Sequence, residues 1–142
     1  MMRTANYFCR IPALAVVGLM VLAACAFAQL QELSGTFISD KEATLDYLRS
    51  TGVYSPEQLQ KIGSVMGRMK VTFNGDTVMT ELDEHKTSEQ FKIVEQGAGY
   101  ITILTNLDGE SVQNRIEFVS DGYWLVNPPG ERPFREKFRR VP

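Results

Sequence analysis

From Met69 onward the chain is a train of short alternating segments separated by turn residues, and this pattern leaves few folds open. Met69, Val71 and Phe73 alternate with Lys70 and Thr72, the period of two that puts one face of a strand against a core. Asn74-Gly75, a type I′ hairpin signal, predicts a tight reversal into a strand over 77–82. A polar turn over 83–87 follows, then strands over 89–95 and 100–106 divided by Gly97-Ala98-Gly99. Asp108-Gly109, Asp121-Gly122 and Pro128-Pro129-Gly130 separate three more strands over 111–119, 123–126 and 133–141.

Ahead of this series, residues 33–38 predict one further strand, and two helix-start signatures come next. Ser39-Asp40-Lys41-Glu42 fits the S-x-x-E capping box, which satisfies two orphan amides at a helix N-terminus. The helix it opens runs to about Ser50, buries Leu45 and Leu48, and finds in Gly52 a residue suited to its C-terminal cap. Ser55-Pro56-Glu57-Gln58 is a second box, with proline at the first helical position, where its missing N–H costs nothing. Tyr54 and Leu59 stand at the spacing of a hydrophobic staple. Leu59 and Ile62 carry the apolar face until the 63–67 stretch ends it. The expected fold is therefore mainly β with a short helix pair between strands one and two. Eight antiparallel strands close into an up-and-down barrel, which removes exposed edges, with the helices capping one mouth; the alternative is a strongly curved open sheet with the helices on one face.

This layout resembles the calycin superfamily, which includes lipocalins and intracellular fatty-acid-binding proteins, and in particular exported lipocalin-like domains of bacteria. Gly35-Thr36-Phe37 stands where lipocalins carry G-x-W on the first strand, with phenylalanine in place of tryptophan. Ser39-Asp40 through Thr44 and the ending Lys137-Phe138-Arg139 extend the likeness, and the helix pair after strand one is similar to the fatty-acid-binding branch, which has ten strands. The resemblance implies that a basic residue of the last strand, Arg139 or Arg140, packs over Phe37.

The first 28 residues have a different character. Arg3 and Arg10 form a basic head without acids, residues 11–22 are apolar apart from Pro12 and Gly18, and small residues follow. That is the plan of a signal peptide. The apolar run of 18 residues is at the short limit for a membrane span and has no basic stop-transfer flank. Two cleavage sites compete. Ala26-Phe27-Ala28 would release a chain starting at Gln29, whereas Leu22-Ala23-Ala24-Cys25 resembles a lipoprotein lipobox, in which Cys25 is lipidated and becomes the first residue. The chain thus divides into a 1–28 signal peptide and a 29–142 lipocalin-like β-barrel domain. It is expected in the periplasm or secreted, or else anchored by lipid to the outer membrane.

The leader holds two of the 15 basic residues and none of the 17 acidic ones, so the remaining 114 residues carry a formal net charge of −4. Nucleic acid is an unsuitable partner for such a surface, and the membrane is expected to be a partner only through Cys25. The basic ending (Arg132, Arg135, Lys137, Arg139, Arg140) reads as a strand with a solvated face. Both cysteines, Cys9 and Cys25, lie in the leader, which leaves a chain starting at Gln29 without a disulfide.

Catalytic and metal chemistry find little support. His85, the one histidine, sits among Glu81, Asp83 and Glu84 without the His/Cys set zinc prefers or the glycine and spacing of a calcium loop. Glu42 and Asp46 are one helical turn apart, with nothing nearby to split their pKa values as an acid/base pair requires. The expectation is a protein that is not an enzyme and takes no cofactor or metal. Two functions compete: a carrier or sensor of a small apolar ligand, and a protein-interaction module, such as an envelope assembly factor or an inhibitor of an extracytoplasmic enzyme, with a solid core. For the carrier, the barrel-interior candidates are Phe73, Phe91, Ile93, Ile101, Ile103, Phe118 and Trp124, the last with core filling as its commoner role.

Overall fold

In the computed structural model, which describes residues 32–107, 109–127 and 130–142, the alternating segments pair in sequence order and the last returns to the first. Eight antiparallel strands form a closed barrel: β1 (Gly35–Ser39), β2 (Met69–Asn74), β3 (Thr77–Leu82), β4 (His85–Gly97), β5 (Tyr100–Leu107), β6 (Glu110–Val119), β7 (Gly122–Val126) and β8 (Arg135–Arg140). Helices α1 (Lys41–Thr51) and α2 (Pro56–Val65) lie between β1 and β2. The closed barrel, and not the open sheet, is the architecture.

Closure rests on the β1–β8 seam, and the seam explains where α1 sits. Phe37, Ile38 and Ser39 pair with Arg140, Arg139 and Phe138, and there β1 ends. Residues 135–137 of β8 would be left with an open edge, at the cost of unpaired backbone groups. The start of α1 fills that gap: the Asp40 N–H donates to the Lys137 carbonyl at 2.7 Å, and the Lys137 N–H donates to Thr44 Oγ1 at 3.0 Å. Thr44, Leu45 and Leu48 are buried on this side of the helix.

Several local expectations shift by a residue or two. The N-cap of α1 is Asp40, whose carboxylate accepts from the Ala43 N–H at 3.2 Å, and not Ser39. Ser39 belongs to β1, where alternation with Phe37 turns it into the barrel and buries it. The second capping box forms as read, with Ser55 and Gln58 bonded reciprocally. Gly63 does not end α2 but lies inside it, buried where a side chain would press on Leu45. The β2–β3 turn is Gly75-Asp76, since Asn74 already pairs with Thr77, and only Gly75 takes a positive φ (60°), the pattern of a II′ turn.

The polar stretch 83–87 is mostly strand. β4 starts at His85, because Lys86 pairs with Glu81 across the ladder and their charges meet on the outer face at 3.3 Å. A bulge between Ile93 and Glu95 leaves Val94 outside the ladder and half-exposed. Gly122 is needed for close approach: a Cβ there would lie 2.0 Å from the Phe138 carbonyl oxygen. The 1–28 leader, both cleavage sites and Cys25 lie outside the described residues. Among those residues no helix is long and apolar enough to cross a membrane.

Candidate binding site in the barrel interior

Alternation sends every second side chain inward, and the interior divides into two unlike parts. At the end where β1 begins, five rings pack together. Phe37 meets Tyr123 edge-on at 4.9 Å between centroids, Tyr123 stacks on Phe138 at 5.0 Å, and Phe73 meets Phe91 edge-on at 5.7 Å. Leu33, Ile101 and Ile116 complete this plug, each buried. Arg140 closes it from outside: its guanidinium lies 4.7 Å above the Phe37 ring and donates to the carbonyls of Glu32 and Ser34. Of the two basic residues expected over Phe37, it is Arg140 that takes the position, while Arg139 pairs with Asp40 at 2.8 Å.

Toward the other end the side chains do not meet across the barrel. They leave a cavity of about 360 Å³. One wall is apolar, formed by Val71, Phe73, Val78, Ile103 and Ile116 with Tyr123. The facing arc is polar: Thr80, Thr87, Glu89, Thr105 and Asn114, from β3 to β6. None of these five side chains makes a hydrogen bond or ion pair with any described residue. Among the described residues no lysine, arginine or histidine lines the cavity, and neither helix contributes to its wall. The helices stand at this end of the barrel, but α1 is laid along β8 and does not cover the cavity.

A second polar group lies inside the barrel, behind the cavity wall. Glu136 on β8 is buried and accepts a 2.6 Å hydrogen bond from the Ser39 hydroxyl, whose oxygen in turn accepts from the Gly67 N–H at 3.1 Å. Burial pushes the Glu136 carboxyl above the usual range, against the opposing pull of the Ser39 bond. Burial also raises the Tyr123 phenol, with the Glu136 charge adding to it.

The seven interior candidates fall in four groups. Phe73 and Ile103 line the cavity. Phe91 and Ile101 are buried in the core cluster, and Ile93 and Phe118 pack against it partly buried. Trp124 is outside the interior. The register pairs Phe118 with Tyr123 and Tyr123 with Phe138, so Tyr123 faces in and its neighbour faces out, beside Tyr47 of α1 at 5.8 Å. Reading for apolar side chains missed the polar arc entirely. The register reveals it, because Thr80 and Thr87 pair with each other and Thr80 pairs with inward Val71.

Other features of the surface are neutralised or open. Arg115 and Arg135 both pair with Glu117, and Lys137 pairs with Asp121. The basic ending is thus largely paired, and only Arg132 on it lacks a described partner. His85 opens β4, and among the described residues no cluster of three ligating side chains surrounds it. Asp46 pairs with Arg49 at 2.6 Å on the exposed face of α1. A larger depression of about 690 Å³ runs between the helices, past Leu45 and Leu59, but it is an outer groove more open to solvent than the barrel cavity. The chain matches no protein-family model, and no curated protein or solved structure was found to match it.

Proposed function

We propose that this chain is a small exported binding protein, a lipocalin-like carrier or sensor that takes one small molecule into its barrel. One observation carries the reading: the interior is packed at one end only. At the other end an apolar wall faces polar side chains that have no partner in the described chain. A core that served stability alone would fill such space, since voids cost free energy. Concave sites with an apolar lining and a few convergent polar groups are the usual form of small-molecule pockets, and 360 Å³ is at the small end of their range. The Arg140–Phe37 contact supports the calycin likeness. No step of this reading requires catalysis, a cofactor or a metal.

The basic head, apolar run and small-residue exit of residues 1–28 support export, with Cys25 or Gln29 as first residue. Intact-mass measurement of the exported protein separates them: a chain beginning at Gln29 rules out lipidation, and a diacylated Cys25 rules out the soluble form. For the carrier itself, native mass spectrometry of protein purified from its host without detergent is expected to show a bound small molecule that is lost on denaturation. A bare chain that also fails to take up 1-octanol would overturn the proposal. The second reading, a module docking an envelope protein, draws on the groove between α1 and α2. It predicts that substitution at Leu59 abolishes binding to that partner while leaving uptake of small molecules unchanged.

A further inference from the structure

We infer that the ligand carries a protonated amine, held at Glu89, and that anionic amphiphiles such as fatty acids are rejected. This rests on the carrier reading and narrows it to a chemical class. Glu89 is the one ionisable side chain among those lining the cavity apart from the Tyr123 phenol, and it is half-buried there. No described cation faces it. Lys70 and Lys86 are on the outer surface with Glu81, Arg115 and Arg135 with Glu117, Lys137 with Asp121, and Arg139 with Asp40. Arg140, over Phe37, is bound to backbone carbonyls beyond the aromatic plug.

The consequence for a guest follows from charge and from hydrogen-bond counting. A carboxylate entering this space would shed water beside another carboxylate, with no donor cation to compensate, and like charges in a partly desolvated space repel strongly. An ammonium group brings three donors and no acceptor. The cavity offers it acceptors: the Glu89 carboxylate, the Thr80, Thr87 and Thr105 hydroxyls, and the Asn114 carbonyl. A charge-assisted bond to Glu89 would be the strongest of these. The guest's hydrocarbon part then lies against Val71, Val78 and Ile103.

The test is isothermal titration of the exported protein at pH 7 with three probes sharing one hydrocarbon tail: octylamine, 1-octanol and octanoate. Octylamine is expected to bind at least about tenfold more tightly than octanoate, with 1-octanol between them. Glu89→Gln is expected to reduce octylamine affinity about tenfold and leave 1-octanol nearly unchanged. Because the Glu89 side chain has no described partner, this variant should keep the wild-type melting temperature. Glu84→Gln, in an outer turn, controls for general attraction of cations to an acidic chain and should change nothing. Octanoate binding as tightly as octylamine, or an octylamine affinity indifferent to Glu89→Gln, would overturn the inference while 1-octanol binding keeps the carrier reading intact. Failure of all three probes to bind would overturn both.

Discussion

The two ends of the barrel interior follow the same rule of alternation and reach opposite outcomes. At one end, aromatic side chains on β1, β2, β4, β7 and β8 are long enough to meet, and Leu33 and Arg140 close what they leave. At the other, the inward positions of β3 to β6 carry mostly short side chains, Thr80, Thr87, Thr105, Val112 and Asn114 beside Glu89, and they leave the eight-stranded barrel unfilled. Side-chain length, and not backbone geometry, decides which end is solid. The solid end holds the buried aromatic core, and the hollow end holds the cavity.

That division sets the size of mutational effects. Phe138→Ala removes a fully buried ring from the plug and is expected to cost about 3–5 kcal/mol in urea unfolding. A loss below about 1 kcal/mol would mean that the aromatic end is no tighter than the cavity end. Gly122→Ala comes next. Its methyl group cannot fit against the Phe138 carbonyl unless the β7–β8 ladder shifts, and overpacking of this kind costs about 1–3 kcal/mol. A crystal structure of the variant with the ladder unmoved would contradict this account of the seam.

Glu136 gives the comparison a pH signature. Its carboxyl is held above 4.5 in the folded chain, so between 4.5 and the raised value the folded state binds more protons than the unfolded one. Stability from this group is therefore lost as pH rises through that window. Glu136→Gln, which keeps an acceptor for Ser39, is expected to raise the melting temperature at pH 8 and to give no gain at pH 4. Asp121 and Glu81, whose pKa values are lowered by Lys137 and by Lys70 with Lys86, act in the opposite sense and lose their contribution as pH falls. They are common to both proteins and cancel in the difference. A gain of equal size at both pH values would remove Glu136 from the account.

Smaller effects are expected away from the plug. Ser55→Ala breaks the capping box of α2 and should cost about 1 kcal/mol. Thr105→Val at the hollow end should change stability by less than about 1 kcal/mol, because its hydroxyl leaves no partner orphaned. A Thr105→Val cost comparable to that of Phe138→Ala would erase the distinction between the two ends.

Much of the fold was legible in the sequence because strand alternation and turn residues are local signals. Met69, Val71 and Phe73 mark their own inward face, and Ser55 to Gln58 mark their own helix start. The misreadings fall where a partner distant in sequence decides. His85 and Lys86 join a strand through pairing with Leu82 and Glu81, and Ser39 leaves the cap because Glu136 and Gly67 claim its hydroxyl inside the barrel. The site was less legible than the fold. Phe73 and Ile103 stand out as large apolar side chains at alternating positions. Thr80, Thr87 and Thr105 do not, because threonine on an outer strand face is equally ordinary. Choosing between Tyr123 and Trp124 needed the register with Phe118 and Phe138, since a slip of one residue exchanges the two faces.

The most direct test of a barrel solid at one end and receptive at the other is a methyl NMR titration with 1-octanol. Progressive shifts are expected for Val71, Val78, Ile103 and Val112, with Leu33 of the plug and Leu59 of the outer groove unmoved. Shifts confined to Leu45 and Leu59, or spread evenly over plug and cavity, would contradict it.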